Sequence, residues 1–378
     1  MKRPDVIVVG LGAMGSAAAY QLTRRGLKVL GLDRDHPPHT NGSSHGLSRI
    51  IREAYYEHPL YVPLVQRAYQ AWAKLEERSG RRLLTVTGGL MIGRPDGTLV
   101  AGARRSAVDH ALPYEELSAK QIRQRFPGFH LATDEVGLLE PRAGVLNPEE
   151  CIRASLEQAR LGGAELRLGE TVSGWDVKDG FATVTTEGDT YQAKHLVLAA
   201  GSWMAGALPK TRLGLSVERQ VLFWFAPTRA GGLGPGELPI FIWEWAPDRF
   251  IYGFPDLGDG VKVARHHEGE PADPDRPRRA MDALEEAGVR KVLSGRLPEA
   301  NGPLLQSAVC LYTNSPDGHF TLGPHPEFPQ VFLVSPCSGH GFKFASVIGE
   351  IVADLVTEGG TTFDLSPFRV GRGGGMGE

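Results

Sequence analysis

Residues 5–33 read DVIVVGLGAMGSAAAYQLTRRGLKVLGLD. Val6 to Val9 are all β-branched, the composition of a short strand buried on both faces. Gly10-Leu11-Gly12-Ala13-Met14-Gly15 follows, and the pattern predicts a helix over 16–25 that stops at Gly26. A second strand is predicted over 28–32, ending at Asp33. Each glycine has a physical task in such a unit. Gly10 makes the turn, Gly12 lets the backbone approach a pyrophosphate, and Gly15 lets the helix pack closely on the strand. The helix N-terminus then offers unpaired N–H groups and the positive end of a dipole to phosphate. Asp33 is placed to accept hydrogen bonds from ribose hydroxyls. The motif alone does not separate a nicotinamide dinucleotide from a flavin one.

Further along, a long helix is predicted over 56–78, with Leu64, Tyr69, Trp72 and Leu75 as its apolar positions. Short β-like pieces begin near 84, a helix covers 150–161, and alternating strands run from 165 to Gly201. Residues 217–265 are aromatic-rich and β-like, 273–292 are charged and helical, VFLV at 331–334 is a buried strand, and 345–357 is a helix. There is no internal repeat. Strand–helix units at both ends with β-rich material between them predict two interleaved domains. One comprises 1–85, 146–216 and 301–378, and the other 86–145 and 217–300.

The 378 residues carry 41 Lys plus Arg against 44 Asp plus Glu, a formal charge of -3, which argues against a nucleic-acid or anionic-membrane surface as the main partner. Cys151, Cys310 and Cys337 are few and far apart, with no CxxC, so neither a disulfide framework nor a metal site is expected. No apolar run approaches the roughly 18–20 residues of a membrane span. The N-terminus enters a strand without a signal-type apolar region, and a cytoplasmic protein is expected. The final GRGGGMGE reads as a flexible tail.

Three more stretches carry chemistry. NGSSHGLSRIIR (41–52) follows the acidic end of the second strand. Its small residues, Ser44 among them, permit close packing against a flat ligand. Arg49 and Arg52 flank two isoleucines; on a helical turn they would share one side, and partly buried guanidinium groups need an anion. SGHGFKF (338–344) lies between a strand and a helix. The N–H groups around Gly339 and Gly341 suit developing negative charge, such as that at the N1/O2 edge of a reduced flavin. Lys343 stands between two phenylalanines, partly buried beside the same site, whereas His340 reads as a structural turn residue. In AVCLYT (308–313), Cys310 in an apolar strand reads from composition alone as an inert core thiol.

Taken together, these stretches with YVPL, IYGFP and AVCLYTNSPDGHF resemble the monomeric sarcosine oxidase family, which includes N-methyltryptophan oxidase and, more distantly, pipecolate and fructosyl-amine oxidases. The resemblance runs from VIVVGLGAMG to DLSPFR. It implies an α/β protein in which a Rossmann-like FAD-binding domain interleaves with a β-rich α+β substrate domain. It implies FAD attached covalently through Cys310, reversing the inert reading. It implies Arg52 and Lys343 as the substrate carboxylate clamp, and Tyr252, His266 and Tyr312 as the lining of the amine pocket. Lys262 resembles the lysine that activates oxygen, and His45 and Arg49 correspond to residues packed near the flavin ring. The implied reaction is oxidative demethylation of an N-methyl amino acid such as sarcosine, with O2 reduced to hydrogen peroxide, by a monomer with no metal. N-methyltryptophan, L-pipecolate and, from another class, NAD-dependent dehydrogenation remain alternatives. Two departures bear on substrate. SHGLSRIIREAYYE replaces the common HHGDTRIIRHAYGE, and Trp243 and Trp245 bring extra aromatics that serve either a bulkier substrate or the core.

Overall fold

The computed structural model describes residues 3–208 and 213–372; the C-terminal tail from 373 onward lies outside the described residues. The opening unit forms as expected: β1 (Val6–Val9), α1 (Ala13–Arg24) and β2 (Val29–Asp33). All nine strand residues are buried, and each buried Val, Ile or Leu contributes about 1.5–3 kcal/mol relative to exposure. β1 pairs in parallel with β2 on one side and with His195–Leu198 on the other. Val331–Ser335 and Glu165–Leu168 extend the parallel sheet, and Thr321–Pro324 closes one edge antiparallel. The sheet therefore gathers strands from the two ends and the middle of the chain around β1.

Gly15 shows why the helix lies so close to the strand turn. A Cβ there would sit 1.7 Å from the Gly10 carbonyl oxygen. Gly10 itself has φ +86 and passes against the Ala199 carbonyl, a conformation open to glycine without steric cost.

The second layer is a mostly antiparallel sheet, ordered Glu270–Pro271, Ser216–Phe225, Val261–His266, Arg249–Phe254, Ile240–Ala246, Gly89–Gly93, Val136–Glu140 and Glu115–Ser118. Leu304–Asn314 pairs along Ser216–Phe225. The strand that carries Cys310 thus joins this sheet by pairing, although a boundary at 301 groups it with the dinucleotide-binding pieces.

Three expected elements differ. Arg49–Ile51 is a short strand, paired with Gly144–Leu146, not a helical turn. Two adjacent β-branched isoleucines favour that pleated surface. The helix expected from 56 begins at Val62, after a 3-10 turn over Pro59–Tyr61, because proline suits a helix start and not its interior. The charged helix is Ala283–Arg296, capped by Asp282; Pro271, Pro274 and Pro277 keep the preceding segment out of it. No described helix is long and apolar enough to cross a membrane.

Candidate active site

A cavity of about 710 Å³ runs along the seam of the two sheets, lined at one end by Gly10, Gly12 and Asp33 and at the other by Arg52 and Lys343. The dinucleotide end is built for an anion. No side chain caps the N-terminus of α1 at Gly12, and a Cβ on Gly12 would meet only the Ser44 hydroxyl at 3.9 Å, so the approach is open. Asp33 is buried, and accepts from the Leu11 N–H at 2.6 Å through one oxygen and the Asp35 N–H at 2.9 Å through the other. These bonds stiffen the glycine turn and leave lone pairs for a ligand hydroxyl. Burial nonetheless raises its pKa. Asp33, Asp35 and His39 bring three possible metal-ligand atoms within 4.8 Å of one another; two of the residues are partly exposed, and Asp33 is engaged as just described.

The middle of the cavity is lined by Ser43, Ser44, Arg49, Tyr252, Cys310 and Tyr312. Arg49 is pinned by two carbonyls, Ser48 O and Ser43 O, both at 2.7 Å, and its Nη2 lies 3.6 Å from the Cys310 sulfur. The Cys310 sulfur also lies 3.5 Å from Ser43 O, the carbonyl that Arg49 uses, so thiol and guanidinium are fixed on one backbone oxygen. Because Arg49 opens the strand and Arg52 follows its last residue, three positions on in extended backbone, their side chains leave in different directions. Arg49 reaches toward Cys310, and Arg52 toward Tyr55 and Glu57.

His45 and Lys262 stand behind this lining. His45 is buried, its pKa pushed down to about 3 by desolvation first and then by Arg49 and Lys262, so the ring is neutral. Its Nε2 is buried without a described hydrogen-bond partner. The Lys262 ammonium donates to Gly46 O at 2.6 Å and to Ser48 O and Oγ at 2.9 Å. It also lies over the rings of Trp224 and Phe254, at 5.1 and 4.8 Å. The two carbonyls converge because Leu47 between them adopts φ +66, which costs a branched residue roughly 1–2 kcal/mol. Glu149 holds that loop by accepting the Gly46 and Leu47 N–H groups.

At the cationic end Arg52 is 1% exposed. It donates to Ala54 O and to Glu57 at 2.6 Å, while its Nε is buried without a described partner. Lys343 donates to His340 O at 2.7 Å and to the Tyr55 hydroxyl at 3.4 Å. Desolvation, then Arg52, bring its pKa down to about 7. The amine-pocket residues adjoin this end. His266 Nδ1 lies 3.3 Å from the Tyr312 hydroxyl, and burial holds His266 well below the usual histidine value, hence neutral. Gly339, at φ +76, packs where a Cβ would strike Tyr312 and His266 at 2.6 and 2.7 Å. Gly341 lines the same wall.

Tyr55, Tyr56, Glu57 and Glu149 join the site without having been singled out from sequence. Tyr55 and Glu57 stand where the common HAYGE has the same residues, Tyr56 replaces its glycine, and Glu149 lies at the start of a helix. Trp243 belongs to the core: it is 1% exposed, packs edge-on to Phe129 and donates to Glu135 at 2.9 Å. Trp245 stacks with Arg249, and neither tryptophan lines the cavity.

An anion-ready helix end, an acid for ribose hydroxyls, and a long cavity ending in cations define a dinucleotide-dependent oxidoreductase, and the chain belongs to the FAD dependent oxidoreductase family, whose pattern matches residues 5–355. It is 43% identical to the monomeric sarcosine oxidase of Streptomyces avermitilis, over 96% of each chain. It is 35% identical to the N-methyl-L-tryptophan oxidase of Salmonella heidelberg, over 97% of this chain and 98% of the relative. Among solved structures it superposes with TM-score 0.85 on NikD, an unusual amino acid oxidase essential for nikkomycin biosynthesis, at 28% identity over 98% of both chains. The chain is a flavoprotein oxidase with FAD as cofactor.

Proposed function

We propose that the protein oxidises a secondary amino acid, sarcosine first, according to sarcosine + O2 + H2O → glycine + formaldehyde + H2O2. The observation that carries this reading is one cavity joining a dinucleotide cradle at Gly10, Gly12 and Asp33 to a cationic pole at Arg52 and Lys343. Bound FAD supplies the acceptor for two electrons from the amine and their onward delivery to O2. The chain's own residues do the rest. Lys343 and the free Nε of Arg52 hold the carboxylate, and so orient the N-methyl group. Neutral His266, with Tyr252 and Tyr312, encloses the amine without adding a repelling cation. Lys262, caged one layer behind, contributes a positive field that favours electron transfer to O2. Cys310 is the proposed point of covalent attachment, supported by its place in the lining beside Arg49. A monomeric, cytoplasmic enzyme is part of the same reading; the absence of disulfides among its three cysteines fits a reducing compartment.

A substrate panel read by peroxide release tests the reading. Sarcosine should be turned over faster than N-methyl-L-tryptophan, L-pipecolate or L-proline. Peroxide from none of them, with NAD+ reduced instead, would overturn it. Acid-precipitated wild type should give a yellow pellet and Cys310→Ala a colourless one; flavin in both supernatants would refute the covalent link.

A further inference from the structure

We propose that His340 is a positioning residue that, through Tyr55, aims the Lys343 ammonium at the substrate carboxylate. The proposal rests on Lys343 being the carboxylate ligand. The hydrogen-bond pattern determines where each proton sits. His340 Nε2 lies 3.1 Å from the Gly318 carbonyl oxygen, which can only accept, so Nε2 carries the ring proton. Burial lowers the His340 pKa to about 4, so the ring is neutral and Nδ1 is left as an acceptor. The Tyr55 hydroxyl, 2.6 Å from Nδ1, is therefore the donor in that bond. Its oxygen keeps a lone pair for Lys343 at 3.4 Å.

An ammonium has three protons. His340 O and Tyr55 Oη take two, and the third remains for a ligand in the cavity that Lys343 lines. Packing holds the relay still. The His340 ring stacks on Phe320, with centroids 4.9 Å apart, and meets the edge of Tyr61 at 5.2 Å. The Trp72 indole N–H donates to the Lys343 backbone carbonyl at 2.9 Å, fixing the base of the lysine.

Loss of the imidazole has a defined consequence. The phenol proton would have to find another acceptor, and the nearest is the backbone oxygen of residue 340 at 3.4 Å. Lys343 already uses that oxygen at 2.7 Å. Phenol and ammonium would compete for it, and the ammonium would lose both an acceptor and its aim. Fewer acceptors disfavour the charged form, so the lysine would lose its proton at lower pH. The other charged and titratable groups facing Lys343 are Arg52, Tyr55 and Glu57 on one side and His266 on the other; these substitutions leave the charges of Arg52 and Glu57 and the neutral His266 in place.

The test uses the FAD-loaded enzyme, with acetate as a carboxylate probe read by perturbation of the flavin absorption band, alongside steady-state KM for sarcosine. His340→Leu and Tyr55→Phe should each weaken acetate binding and raise KM about tenfold, with kcat within about threefold. Each should also move the basic limb of acetate binding to lower pH. His340→Asn, whose amide oxygen can replace Nδ1 as acceptor, should restore most of the affinity. Tyr55→Phe keeps the ring packing and so answers the question if His340→Leu folds poorly. Unchanged acetate affinity and an unmoved pH limb in both variants would overturn the relay. Unchanged affinity in Lys343→Met would instead overturn the carboxylate assignment beneath it.

Discussion

Lys262 and Lys343 are both buried lysines beside one cavity, yet they are held in opposite ways. Lys262 has three oxygen acceptors within 2.9 Å and two ring faces below 5.2 Å. Its protons are all engaged by the protein. Lys343 has two acceptors, one of them at 3.4 Å, a cationic neighbour in Arg52, and a place in the lining. Burial lowers the pKa of each. A cation whose donors are all engaged acts as a fixed field, whereas one with a donor to spare acts as a receptor. The same residue type thus serves two ends of a reaction according to how many oxygens the fold places around it.

The comparison can be broken at each lysine. Lys262→Met should slow reoxidation of substrate-reduced enzyme by O2 on the order of 100-fold or more, with anaerobic reduction by sarcosine nearly unchanged; stopped-flow measurement of the two half-reactions decides it, and equal losses would count against a field confined to the oxygen step. Lys343→Met should do the reverse, raising KM for sarcosine about 10- to 100-fold while reoxidation stays normal.

A pH series sharpens the contrast. Lys343, with its pKa brought down to about 7, carries its charge below that pH and loses it above. Acetate affinity should therefore fall as pH rises through 7, approaching about tenfold per unit. Lys343→Arg, always charged, should flatten the profile. A wild-type profile flat from pH 6 to 9 would show that this group does not titrate there. The smallest effect concerns Glu57, which occupies Arg52 at 2.6 Å. Glu57→Gln should tighten acetate binding roughly threefold by freeing Arg52 from a charged competitor; weaker binding would mean that Glu57 supports the site instead.

The dinucleotide unit was legible in the sequence because its physics is local. β-branched strands, the Gly10 turn, the Gly15 contact and Asp33 lie within one stretch of chain and need no knowledge of distant partners. The Arg49–Arg52 geometry was not, because a partner strand at Gly144–Leu146, far along the chain, made it extended. The aromatic Trp243 could equally have faced substrate or core, and only the arrival of Phe129 and Glu135 placed it. His340 read as a turn histidine because its meaning depends on Tyr55 and Gly318, which are local to neither it nor each other. Tyr55 and Glu57 stood within the RIIREAYYE stretch, but their roles were not legible there; they matter because the fold packs them against Arg52 and Lys343.

The central claim is that a carboxylate held at the Lys343–Arg52 pole places a secondary amine for oxidation. Anaerobic mixing of the enzyme with sarcosine, and separately with sarcosine methyl ester at the same concentration and pH, tests it most directly. The account predicts rapid bleaching of the flavin absorbance by sarcosine and at least about 10- to 100-fold slower bleaching by the ester, which lacks the anion. Equal rates for the two would contradict it.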